Sequence, residues 1–147
     1  VRYGLHLGED GDVVYLIFRT LAGQRPYLDF ASGYTPGFYY GHAFLLRLFG
    51  DDLVVLRWAL VAVHALTALC LYLLAARAVP PLLAAVPALA NVALLPLYAG
   101  RFATFNIPYP AWHVVLFWAA SLLAFLRWRD GGRARWLFAA GVLAGLG

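Results

Sequence analysis

The feature that most constrains this chain is a series of apolar runs on the scale of a bilayer's hydrocarbon core, which takes about 20 residues of helix to cross. From Leu53 onward they lie at about 53–76, 81–98, 110–126 and 136–147. Inside lipid no water satisfies backbone N–H and C=O groups, so a continuous run of this kind reads as a helix that pairs them internally. The first run is interrupted only by Arg57 near its start and His64 in its interior. In the second, Pro80 and Pro81 suit a helix start, while Pro87 and Pro96 introduce kinks that neighbouring helices tolerate. The fourth opens near Trp136 and carries Gly141, Gly145 and Gly147, small residues suited to close helix contact.

Composition leads to the same place. Of 147 residues, 64% are hydrophobic and 12% charged, against roughly a quarter charged in soluble domains. Too few polar side chains exist to coat a water-soluble globule, so the expected fold is an all-α, polytopic transmembrane helical bundle. The net charge of +4 raises nucleic-acid binding, but position excludes it. Arg127, Arg129, Arg133 and Arg135 sit in one short link between apolar runs, where membrane topology accounts for them. The single cysteine, Cys70, lies inside an apolar run, so neither an intrachain disulfide nor a cysteine metal site can form. The chain opens at Val1 without a signal-like leader and stops inside a hydrophobic stretch, which predicts a fragment cut at both ends.

The stretch 1–52 is different in kind and holds six of the seven acidic residues. The expected division is therefore 1–52 as an extracytoplasmic loop with short helices and an acidic motif, and 53–147 as the transmembrane region. Short cytoplasmic loops accumulate arginine, which places the 127–135 link inside. Counting spans backwards then puts Ala78–Pro80 inside, Gly100–Tyr109 outside and 1–52 outside. Within the outer segment, Val13–Leu21 predicts a short helix with Asp12 as its N-cap and Gly23 as its stop. Pro36–Phe49 predicts an interfacial helix with Phe38, Leu45 and Phe49 on one face, and His42 and Arg47 reaching water.

Chemistry concentrates in Gly8-Glu9-Asp10-Gly11-Asp12. Clustered carboxylates can hold a divalent cation or share protons, and Glu9 and Asp10 are the residues offered for a metal. The plain alternative is an acidic turn that caps a helix. An EF-hand loop is excluded, since the twelfth position counted from Asp10 is Leu21 rather than Glu. His6, His42 and His113 show no metal-ligand spacing.

Across this region the sequence resembles bacterial GT-C glycosyltransferases of the dolichyl-phosphate-mannose protein mannosyltransferase and aminoarabinose transferase type. The resemblance rests on Glu9-Asp10, on Gly23, Tyr27, Asp29 and Phe30, on Pro36, Gly37 and Tyr40, and on Phe49, Gly50, Leu56 and Arg57. It extends over essentially the whole chain but is specific only in the first 60 or so residues. The family's acidic pair is usually Asp-Glu, whereas here it is Glu-Asp; Asp10 is favoured for the catalytic position, with Glu9 second. The resemblance implies an inverting membrane glycosyltransferase, a hexosyl- or pentosyltransferase, which takes sugar from a polyprenyl-phosphate donor on the extracytoplasmic side of a bacterial plasma membrane. A carboxylate there would draw the proton from an acceptor hydroxyl, and cationic groups would meet the leaving phosphate. Arg101 and Arg57 are the candidates for phosphate, with Tyr40 for substrate; lipid-headgroup attraction and snorkelling are the competing explanations of the arginines. His64, seven residues after Arg57, is either cavity-facing or a packed neutral imidazole. Tyr34, Tyr39, Tyr40, Phe102 and Phe105 either line a sugar or prenyl channel or form an interfacial belt. Two other function classes stand beside this one: a transporter or flippase, which would carry charges within several helices, and a non-catalytic membrane assembly protein indifferent to its acidic cluster.

Overall fold

A helix that faces lipid needs no polar coat, and the two longest helices among the described residues are apolar along most of their length. The computed structural model describes residues 9–94 and 109–147, with the side chains of Glu9, Asp10 and Leu94 left out. The helices are α1 Glu9–Leu21, α2 Pro36–Phe49, α3 Leu53–Ala75, α4 Pro81–Leu94, α5 Pro110–Gly131 and α6 Ala134–Leu146. The only β pairing among the described residues is an isolated bridge between Pro26 and Phe30. Helices α3 and α5 have 23 and 22 residues, yet only 28% and 11% of their most apolar stretches is buried within the chain. The core helix of a soluble protein would be mostly buried, so this apolar surface belongs against lipid or other helices. Helices α4 and α6 are apolar and shorter, with 14 and 13 residues; positions 95–98 of the expected second run lie outside the described residues.

The described residues gather into two compact units. One comprises α1, α2 and α3 as far as Leu60, with Tyr109 and Pro110; the other comprises α3 from Val61, α4, α5 from Ala111, and α6.

In the first unit, Val13 and Ile17 lie one turn apart on α1 and meet Phe38, Tyr39 and Leu46 of α2, with Leu56 of α3 completing the cluster. Burying a side chain of this size stabilises by about 1.5–3 kcal/mol. Helix α1 starts at Glu9 rather than Val13, so Asp12 is a helical residue and not the expected cap. Three acids in its first turn suit the partial positive charge of a helix N-terminus, which favours the longer helix. The far end stops as expected. Gly23 has φ +93°, its N–H donates to the Thr20 carbonyl at 3.0 Å, and the Gln24 N–H donates to the Arg19 carbonyl at 3.0 Å, the bonding pattern of a Schellman cap.

Helix α2 has the expected bounds, opening on Pro36 where a missing N–H costs nothing. Its buried face differs from the expected one: Phe38, Tyr39, His42, Ala43 and Leu46 are buried, while Phe49 is 71% exposed. His42 does not reach water; it is 4% exposed, and its Nδ1 lies 2.8 Å from the Phe38 carbonyl. The packing surface offered by α1 sets this face, and no inspection of α2 alone reveals it. Gly50 ends α2 at φ +105°, and the Asp52 carboxylate accepts the Val54 N–H at 2.9 Å to start α3.

In the second unit, α3 and α5 run parallel. The His64 and Trp112 rings are 5.0 Å apart, and beyond α3 the Arg77 guanidinium bonds Asp130 near the end of α5. Helix α4 returns antiparallel to α3, bringing the Asn91 Nδ2 to 3.4 Å from the His64 carbonyl, and it continues through Pro87. Helix α5 continues past the expected end at 126 to Gly131. The supposed basic loop is therefore largely helix, because arginine is a good helix former and favours a helix C-terminus. Gly132, at φ +63°, donates its N–H to the Trp128 carbonyl at 2.6 Å, and α6 begins two residues later. The α5–α6 hairpin is pinned by Ser121 Oγ donating to the Ala140 carbonyl at 2.8 Å. Its close-packed small residues are Ala119, Ala124 and Ala140. Of the expected glycine face only Gly147 is crowded, where a Cβ would meet Phe117 at 3.3 Å; Gly141 and Gly145 border open space.

Leu46 is 1% exposed and Leu48 is 58% exposed, so the two report on this packing separately. Leu46→Ala should lower unfolding stability in detergent by about 2–5 kcal/mol, whereas Leu48→Ala should change it by under about 0.5 kcal/mol; equal effects would contradict the α1–α2 core.

Candidate functional site

Four of the motif residues that carry the resemblance, Gly23, Tyr27, Asp29 and Phe30, lie in the turn that joins α1 to α2. The Arg25 N–H donates to Asp29 Oδ2 at 2.6 Å, and the Asp29 N–H donates back to the Arg25 carbonyl at 2.9 Å. Tyr27 takes φ +68°, an uncommon conformation for a non-glycine residue. It is held there by its N–H donating to the Phe30 carbonyl at 2.9 Å and its hydroxyl donating to the Tyr34 carbonyl at 2.6 Å. Phe30 stands edge-on to Tyr39 at 5.8 Å, and the Tyr39 hydroxyl shares a 2.6 Å hydrogen bond with Ser32 Oγ. The backbone N–H of Arg25, with help from the Arg25 and Arg19 charges, holds the Asp29 carboxyl below the usual Asp range. Burial pushes the Tyr39 phenol up, opposed by its bond to Ser32.

Sequence reasoning missed Arg19. Its guanidinium lies 5.6 Å from the Tyr15 ring and 4.9 Å from the Phe30 ring, and Nη2 donates to the Asp29 carbonyl at 3.0 Å. The i,i+4 spacing of Tyr15 and Arg19 on an apolar helix was the available signal. Arg19 thus ties the C-terminal half of α1 to the turn, while the opposite end of α1 carries Glu9 and Asp10.

The sequence-predicted site residues fall in different places. Glu9 and Asp10 occupy the first turn of α1 by backbone, and their side chains lie outside the described residues, as does Arg101 entirely. Tyr40 is 50% exposed on the outward face of α2, with Phe44 one turn on at 60%. Arg57 is half-buried on the second turn of α3, next to the fully buried Leu56. Tyr34 and Tyr39 belong to the packing of the first unit rather than to an open channel wall; Phe102 and Phe105 lie outside the described residues. His64, 5% exposed against Trp112, is a packed imidazole in the second unit. Among the described residues no three His, Cys, Asp or Glu side chains gather to hold a metal ion.

The pH dependence of the turn follows from Asp29. Its folded pKa is depressed, so its contribution is complete above the unfolded value of about 3.9 and is lost as pH falls through the lower folded value. Hydrogen exchange of the Arg25 amide should stay protected at neutral pH and through the ordinary Asp value of about 3.9, and lose protection only as pH falls through the lower folded value. Asp29→Ala should expose that amide at every pH, and unchanged protection in the variant would contradict the assignment.

Comparison with known proteins places the sequence in a family. No curated protein and no solved structure matches the chain significantly. The sequence model of the family described as dolichyl-phosphate-mannose-protein mannosyltransferase matches residues 33–147. The match begins after the acidic motif and the Gly23–Phe30 turn, and takes in Pro36, Gly37, Tyr40, Phe49, Gly50, Leu56 and Arg57. With most of its length covered by that match and its apolar helices bare of a polar coat, this integral membrane chain belongs to the dolichyl-phosphate-mannose-protein mannosyltransferase family of GT-C glycosyltransferases.

Proposed function

We propose that the protein transfers a sugar from a polyprenyl-phosphate donor to an acceptor hydroxyl on the extracytoplasmic side of a bacterial plasma membrane, with inversion at the anomeric carbon. The observation that carries this reading is the family match over residues 33–147, on a chain whose α3 and α5 are long and apolar enough to span lipid. It favours a transferase over a transporter or an assembly protein.

The chemistry is a single displacement. Asp10, with Glu9 as the second choice, takes the proton of the acceptor hydroxyl as its oxygen attacks the anomeric carbon. The bond from that carbon to the phosphate oxygen breaks, and polyprenyl phosphate leaves with the electron pair. Arg101 and Arg57 meet the charge on the departing phosphate, and the exposed Tyr40 ring offers a face and a hydroxyl to the substrate. Placement in the first turn of α1 keeps the acids on a rigid element, which suits a base that must meet one hydroxyl. Glu9 and Asp10 would be the residues to hold a divalent cation, which would supply Lewis-acid help to the departing phosphate.

Turnover of labelled polyprenyl-phosphate sugars by the protein in membranes tests the assignment. Asp10→Asn should lower the rate by about 10²–10⁴-fold, the worth of a general base, and Glu9→Gln by less. Undiminished turnover in both variants would remove the catalytic assignment and favour the assembly-protein reading.

A further inference from the structure

Where α5 turns into α6, the second unit has a feature that sugar transfer does not use. Arg127, Asp130, Gly131, Arg133, Arg135 and Trp136 line a cleft of about 500 Å³. Its one carboxylate, Asp130, is already bonded by Arg77 from beyond the end of α3 and lies 3.5 Å from the Arg129 Nε. Arg127, Arg133 and Arg135 have no carboxylate partner among the described residues. Such crowding of like charge is unfavourable unless an anion relieves it.

The cleft is also built to hold its cations in place. The guanidiniums of Arg127 and Arg135 lie 5.2 and 5.6 Å from the centre of the Trp136 ring, so one indole orients two of them. The connection from α5 to α6 is only Gly132 and Arg133, fixed by the Gly132–Trp128 backbone bond. Helix α6 opens from Arg133 with no side-chain cap and no acid in its first turn, so its first N–H groups add to the positive field. On the same two helices, within two residues of the lining in sequence, Phe125, Leu137 and Phe138 are 42%, 43% and 75% exposed. A phosphate group held by arginines with acyl-sized apolar surface next to it describes an anionic phospholipid.

We propose that this cleft binds a phosphate group, supplied by an anionic phospholipid headgroup. Arginine provides the planar, paired donors that phosphate oxygens accept, and the neighbouring aromatic and aliphatic surface receives the lipid's chains. General attraction of arginine to a membrane surface would be diffuse, whereas this cleft is a discrete site that saturates.

Native mass spectrometry of the detergent-solubilised protein, titrated separately with phosphatidylglycerol, phosphatidylcholine and inorganic phosphate, tests the site. One phosphatidylglycerol should bind saturably and in preference to phosphatidylcholine. Arg133→Gln and Arg135→Gln should each weaken it about fivefold, the scale of one basic residue at an anionic surface, while Arg47→Gln, the same charge loss on exposed α2, should not. Saturable uptake of inorganic phosphate, lost in the same two variants, would keep the site and assign it to free phosphate. Absence of saturation with both anions, or equal weakening by Arg47→Gln, would overturn the proposal.

Discussion

Everything in this structure depends on where backbone polar groups find partners when water is absent. Helices α3 and α5 satisfy theirs internally over 23 and 22 residues, which frees their surfaces to be apolar on nearly every side. The few polar side chains in the second unit obey the same constraint. Thr67 returns its hydroxyl to the Val63 carbonyl at 2.8 Å, Ser121 reaches the Ala140 carbonyl, and Asn91 reaches the His64 carbonyl. Each such bond either stays within a helix or ties two helices together.

The first unit works by a different physics. Helices α1 and α2 are short, and an isolated helix of 13 or 14 residues is marginal without a packing partner. They stabilise each other through Ile17, Tyr39 and Leu46, each nearly or fully buried, and through a turn whose polar groups are closed by Arg25, Asp29 and Arg19. The motif Gly23, Tyr27, Asp29 and Phe30 is thereby explained as scaffold: a helix stop, a strained turn residue, its carboxylate clasp and an aromatic anchor. It fixes the helix whose first turn bears Glu9 and Asp10, the residues proposed for the transfer.

How much of this was legible in the sequence follows from which interactions are local. Helix α3, the start of α4 at Pro81, the bounds of α2 and the stop at Gly23 were readable because apolar run length, proline and glycine act on their own neighbourhood. The start of α1 was not, because acids in a first turn suit both a cap and a longer helix. The buried face of α2 was missed for a related reason: His42 looks polar until α1 is packed against it. The extension of α5 through Arg127 and Arg129 was hidden by reading charge as loop, although arginine is at ease in a helix at a membrane boundary. The site was legible only as residue types in a family pattern. Tyr40 and Arg57 can be placed on their helices, but which groups meet around the acids depends on contacts that no local rule encodes.

The proposed transfer on the outer side puts the acidic motif outside the membrane, and the bias of arginine towards cytoplasmic loops puts the hairpin turn at Arg133 inside. Single cysteines at Asp52 and Arg133, introduced one at a time with Cys70 replaced by Ala, can be probed in intact cells with a membrane-impermeant maleimide. The account predicts that the cysteine at 52 reacts from outside and the one at 133 reacts only after permeabilisation. Labelling of both from the same side would contradict it.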